Sequence, residues 1–166
     1  MALAAVFGAR AATVPTSPTF SVNASIVQGC IVFGSSSQTN GISFGAIDFG
    51  SHAALNVGAV SAMAGNSMGA QAQLVCTPGT TVQISVNGGQ HPDGAQRRMS
   101  NGNGKFIPYS LALGQGTPTP LPPNTAVGIT TDGTPTALPL LGTVVLPGIG
   151  TAAGIYTDSV QVVVSW

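Results

Sequence analysis

The chain has 166 residues and a formal net charge of zero, with only 5% charged residues against 43% hydrophobic ones. Typical soluble domains carry about 25% charge; here the only adjacent cations are Arg97 and Arg98, so there is no basic patch for nucleic acid. No run approaches the ~20 apolar residues of a spanning helix, and 23 glycines and 12 prolines scattered among Thr, Ser, Val and Asn favour strands and turns.

Residues 1–11, MALAAVFGARA, look like the tail of a secretory signal. Ala9-Arg10-Ala11 fits the small-x-small cleavage pattern, which places the mature start near Ala12. A structural N-terminal segment is the alternative. From Val14 to Ile26 the chain alternates with period two. Val14, Thr16, Pro18, Phe20, Val22, Ala24 and Ile26 fall on one face, and Ser, Thr and Asn dominate the other. That is the pattern of a strand with one apolar side, longer than the usual 5–6 residues. Residues 12–27 are therefore expected to form a separate, one-sided strand segment, and 28–166 the body of one domain.

Cys30 and Cys76 come next, far apart and without metal-ligand spacing. In an exported protein a single disulfide is the simplest expectation, and two buried free thiols are the alternative. A strand is predicted near Ile42–Phe49. Met68, Ala70, Ala72, Leu74 and Cys76 alternate, as do Val82, Ile84 and Val86 before an Asn87-Gly88-Gly89 turn. The span 91–104 is polar and glycine-rich and is expected to be a loop, with Arg97 and Arg98 exposed on it. Ile107, Tyr109, Leu111 and Leu113 form another apolar face. Gly114–Asn124 is predicted to be a loop by its prolines. Strands follow near Ala126–Thr131 and Ala137–Leu146. At the C-terminus Tyr156, Val160, Val162, Val164 and Trp166 share one face. A last strand that runs to the final residue is expected to need a partner. Seven or so short strands between turns predict an all-β sandwich.

Catalytic chemistry is sparse. His52 and His91 are the only histidines, and His91-Pro92-Asp93 has no nucleophile beside it. The aspartates are single, so neither a carboxylate pair nor a calcium loop emerges. Ser100–Lys105, SNGNGK, lacks the strand–helix context of a phosphate loop. No enzyme activity, cofactor or metal is expected.

Several pieces, in order, carry a resemblance: Gly29-Cys30, the aromatic-glycine run Phe44–Gly50, CTPGTTVQISVNGG at Cys76–Gly89, Arg98-Met99, IPYSL at Ile107–Leu111 and AGIYTDSVQVVVSW at Ala153–Trp166. Together the chain resembles the spore coat protein U domain family, the pilins of archaic, Csu-type chaperone–usher pili. The resemblance implies an incomplete immunoglobulin-like β-sandwich that lacks its last strand. A periplasmic chaperone fills the resulting groove first. At an outer-membrane usher the N-terminal strand of the next subunit then replaces the chaperone, which builds a head-to-tail homopolymer on the cell surface. It further implies tip adhesin and minor pilins as partners and roles in adhesion and biofilm formation. Carried onto this chain, Val14, Phe20, Val22, Ala24 and Ile26 are donor plugs. Tyr156, Val160, Val162, Val164 and Trp166 belong to the acceptor and chaperone-binding strand. Pro15 and Pro18 cannot donate to a ladder and count against pairing at the N-terminal end of the donor. The length favours a shaft subunit over an adhesin with a second domain. The rival expectations are a secreted monomeric β-sandwich that binds carbohydrate, and a structural protein of a spore or outer coat.

Overall fold

In the computed structural model, residues 19–33, 42–65, 73–114 and 117–166 are described. Eleven strands order them: β1 Cys30–Phe33, β2 Val57–Met63, β3 Gln73–Cys76, β4 Thr81–Val86, β5 Arg97–Ser100, β6 Phe106–Leu113, β7 Thr119–Pro120, β8 Val127–Thr130, β9 Thr136–Ala137, β10 Leu140–Pro147 and β11 Val162–Ser165. Among the described residues there is no helix, hence none long and apolar enough to cross a membrane.

The strands make three sheets, ordered β1-β3-β9, β2-β10-β6-β5 and β11-β4-β8, with β7 added on β6. Every pairing is antiparallel. β5 and β7 share one edge of β6, at residues 106–109 and 112–113, while β10 takes the other edge. Alternation in the sequence becomes alternation in burial. Val82, Ile84 and Val86 of β4 are wholly buried, and Ile107, Tyr109, Leu111 and Leu113 of β6 point the same way. Leu74 and Cys76 of β3 and Leu140 and Val144 of β10 complete one core to which all three sheets contribute. Each fully buried aliphatic side chain is worth about 1.5–3 kcal/mol. The molecule is all-β, as an immunoglobulin-like sandwich requires.

Cys30 and Cys76 stand directly opposite each other in the β1–β3 ladder and are joined by a disulfide, which settles the choice against free thiols.

Several expectations are corrected. Ile42–Phe49 forms no regular strand; the pairing seen for it among the described residues is a bridge, Ala46 to Gly65. Gly45, at φ 105°, breaks the pleat. The half-buried side chains therefore change phase, from Ile42 and Phe44 to Ile47 and Phe49. Gly142 of β10 makes room for that second pair, since a Cβ there would meet Ile47 and Phe49 at 2.9 Å. The 91–104 loop contains β5. Arg97 is not exposed but 2% accessible. The Gly114–Asn124 loop contains β7 and a buried Leu121, whose amide donates to Leu111 O at 2.9 Å. β2 has no counterpart among the predicted strands. The 68–76 strand is described only from Gln73; Met68, Ala70 and Ala72 lie outside the described residues, as do residues 1–18 with the signal segment, Val14, Thr16 and Pro18.

Candidate functional site

The site follows from two strands that each stand last in a sheet among the described residues. β1 ends the β1-β3-β9 sheet and β11 ends the β11-β4-β8 sheet. Both border one groove of about 1320 Å³. Its floor is core: Leu74, Leu111 and Leu140, each at most 5% exposed. Phe44, Ile47 and Phe49 close one side. A free strand edge offers unpaired N–H and C=O groups. The edge of β11 beside this apolar floor makes a slot shaped for an extended apolar segment.

Of the acceptor-face residues picked from sequence, Tyr156, Val160, Val162 and Val164 are half-buried against the core and line the groove. Trp166 also lines it but stays 60% exposed. The regular ladder of this segment is short, Val162–Ser165 against β4, with Val163 opposite Ser85 and Val164 opposite Ile84.

Donor-face residues behave differently. Residues 19–28 join no ladder and are exposed on both faces. Phe20 is 88% accessible, Val22 82% and Ile26 97%, and Ala24 is exposed as well. Such side chains seek cover when they form a contiguous stretch. This stretch leads straight into Gly29, whose amide and carbonyl bond to Thr77, and then into Cys30.

A polar cluster that the sequence did not reveal sits at the groove's end. The Tyr109 hydroxyl donates to Asp158 Oδ2 at 2.7 Å, and the Gln90 amide donates to Asp158 Oδ1 at 2.8 Å. Burial first, then the bond to Asp158, raises the Tyr109 pKa well above the usual phenol range. Arg97 fans out beneath, donating through Nε to Asn87 O, Nη1 to Leu121 O and Nη2 to Val86 O, each at 2.7 Å. Desolvation pulls its pKa below the ordinary value, against the opposing pull of Tyr109 and Asp158. The only sequence signal for this cluster was the Asn87-Gly88-Gly89 turn.

His91 is accounted for structurally. Its ring packs at 5.6 Å on Phe106, over which the Arg98 guanidinium sits at 4.5 Å; Arg98 also pairs with Asp93 at 2.9 Å. His52 Nε2 lies 2.6 Å from Phe49 O. Among the described residues no group of three His, Cys, Asp or Glu could hold a metal ion.

Comparison with known proteins gives one family match: the model of the Spore Coat Protein U domain family matches residues 16–163. No curated protein matches. Among solved structures the chain is similar to one in the CsuC–CsuE chaperone–tip adhesion subunit pre-assembly complex from archaic chaperone–usher Csu pili of Acinetobacter baumannii. The identity is 16% and the TM-score 0.47, over 85% of this chain and 40% of that one.

Proposed function

This chain belongs to the Spore Coat Protein U domain family, and from that premise we propose that it is a structural subunit of a chaperone–usher pilus, polymerising by donor-strand complementation. The observation that carries the proposal is the pairing of a surplus with a deficit. Among the described residues β11 ends its sheet at the border of an apolar groove, and residues 19–27 are an alternating apolar segment that joins no ladder. An extended segment in the groove would hydrogen-bond along β11 and seat alternate side chains on the apolar floor.

In this reading residues 12–27 are the donor and 28–166 the acceptor body. Phe20, Val22, Ala24 and Ile26 enter the neighbour's groove, with Val14 furthest along. The face of Tyr156, Val160, Val162, Val164 and Trp166 receives first a periplasmic chaperone and then the next subunit. A donor in one subunit and an acceptor in the next make a heterologous, head-to-tail contact, which propagates as a filament when its rotation does not close a ring. The subunit acts by assembly and not by catalysis, on the cell surface, with the usher, minor pilins and a tip adhesin as partners.

The test uses the two faces of the donor. Phe20→Asp or Val22→Asp places a charge on the apolar floor, at a cost of several kcal/mol, and is expected to leave subunits folded on their chaperone without fibres. Ser21→Asp or Asn23→Asp, on the other face, is expected to assemble. Moving residues 12–27 behind Trp166 through a flexible linker is expected to give a stable monomer with no fibres. Electron microscopy and thermal melting read both results. Equal fibre yields from the two faces would remove this function.

A further inference from the structure

The half-buried face leading into β11 runs Tyr156, Asp158, Val160, Val162, Val164, and among the described residues Asp158 is the one charged side chain lining the groove. A carboxylate on an apolar face needs a reason, and the valines supply it. Val162, Val163 and Val164 are consecutive, so β11 is apolar in both phases of its pleat. In most strands a one-residue slip exposes the core face and buries polar groups, which fixes register. Here a slip would bring Val163 inside beside Gln161 and either Ser159 or Ser165, so at the centre of the strand valine still faces inward and only its flanks turn polar. Among the described residues the strand is short and pairs on one side, by four residue pairs to β4. Hydrophobic pattern therefore separates the two registers less sharply than in a strand with a wholly polar outer face.

The residues just before it are tied at several points. Thr157 exchanges both backbone hydrogen bonds with Ser100 of β5, at 2.9 and 3.0 Å. Asp158 accepts from Tyr109 Oη of β6 and from the Gln90 amide. Gln161 donates to Asn87 Oδ1 at 2.9 Å, and its carbonyl accepts from the Asn87 amide at 3.0 Å. The turn after β4 is built around the carboxylate: Gly89, at φ +81°, has no room for a Cβ because Asp158 Oδ2 occupies that place. Backbone pairs can re-form one residue along, since any residue offers the same groups. A side chain seated in a site of fixed shape cannot.

We propose that Asp158 is the positioning residue that sets the register of β11, and hence which side chains face the groove. Tyr109, Gly89 and Gln90 form its socket. The consequence for donor binding rests on the function proposed above; the register assignment rests on this chain alone.

Cross-linking in the full-length chain reads register directly, with the cysteine pairs mapped by mass spectrometry. Ser85→Cys is combined in turn with Val163→Cys, its native partner, and with Val162→Cys or Val164→Cys, its partners after a slip. With Asp158 present, only the native pair is expected to close. In Asp158→Ala the ratio of slipped to native cross-link is expected to rise by roughly tenfold or more, the effect of losing one strong hydrogen bond. Asp158→Asn is expected to restore the native pair, because its amide can accept from Gln90 and donate to the Tyr109 hydroxyl. A purely structural role would weaken the fold without opening the slipped pair. Should Asp158→Ala not accumulate, Tyr109→Phe carries the same readout with the volume preserved, and a slipped share is expected there too. The native pair alone in Asp158→Ala, or in Tyr109→Phe where that variant stands in, overturns the proposal. Binding of a peptide of residues 12–27 to the unsubstituted chain is measured beside it: failure there removes the strand-accepting function and leaves the register result standing.

Discussion

Replacing Arg97 by methionine tests how the sheets are riveted together. The guanidinium belongs to β5, but its acceptors lie at the end of β4 and in the segment after β7. Of the three carbonyls, Val86 O keeps a second donor, the Asn124 amide at 2.8 Å. Asn87 O and Leu121 O are left bare. A carbonyl buried without a donor costs about 1–3 kcal/mol; the buried Leu121 O bears that in full and the half-buried Asn87 O in part, about 2–5 kcal/mol together. Methionine sheds the desolvation penalty of a buried cation, which offsets part of that, and leaves a net loss of about 3 kcal/mol. For a chain of this size each kcal/mol lowers the melting temperature by about 2–4 °C, so Arg97→Met is expected to melt roughly 6–12 °C lower. Arg97→Lys keeps the charge but cannot serve three carbonyls with one planar fork, and is expected to fall between the two. The assay is thermal unfolding of the purified chain followed by circular dichroism. A variant that melts within about 2 °C of the parent would show that the guanidinium network does not hold the sheets.

Other outcomes follow from single features. Cys30→Ser or Cys76→Ser opens a loop with a sequence separation of 46; on the chain-entropy account this costs about 4 kcal/mol. Denaturant titration of oxidised and reduced protein is expected to show that difference, and a gap below about 1 kcal/mol would refute it. The Tyr109 hydroxyl has a folded-state pKa above its unfolded value. Its contribution is therefore complete below about pH 10, the ordinary tyrosine value, and is lost as pH rises toward the folded value. The stability gap between the parent and Tyr109→Phe is expected to hold steady to about pH 10 and to shrink above it; a gap that stays constant to pH 11.5 would contradict the assignment.

What the sequence reveals here depends on whether a residue's partner is local. β4 and β6 are legible because one face of each meets the core continuously, so period two survives in the letters. Cys30 and Cys76 are legible as a pair because export and number constrain them. β2 was missed because VGAVSAM is small and apolar at nearly every position, so no phase stands out. β5 was missed because Arg97-Arg98 looks like solvent-facing charge. The partners that let Arg97 be buried are backbone carbonyls, which no side-chain pattern records. Ile42–Phe49 has the right alternation for a strand, but a glycine at positive φ resets its phase. The half-buried face of the last strand was legible in Tyr156, Val160, Val162 and Val164. Asp158, in the middle of that same face, was passed over because its socket is assembled from residues 89, 90 and 109.

The attachment of the exposed segment has a mechanical meaning. A tug on residues 19–28 reaches the folded body first at Gly29, where hydrogen bonds to Thr77 resist it, and one residue later at a covalent link between β1 and β3. A ladder loaded at its end fails by peeling, one rung at a time. Here the first rung is a sulfur–sulfur bond, so tension cannot peel β1 from β3 from that side and is passed into β3 instead. In the filament proposed above, the weakest element under tension is then the noncovalent seat of a strand in a groove, and stretching is expected to separate neighbours or deform the body before it strips the strand that joins them to it.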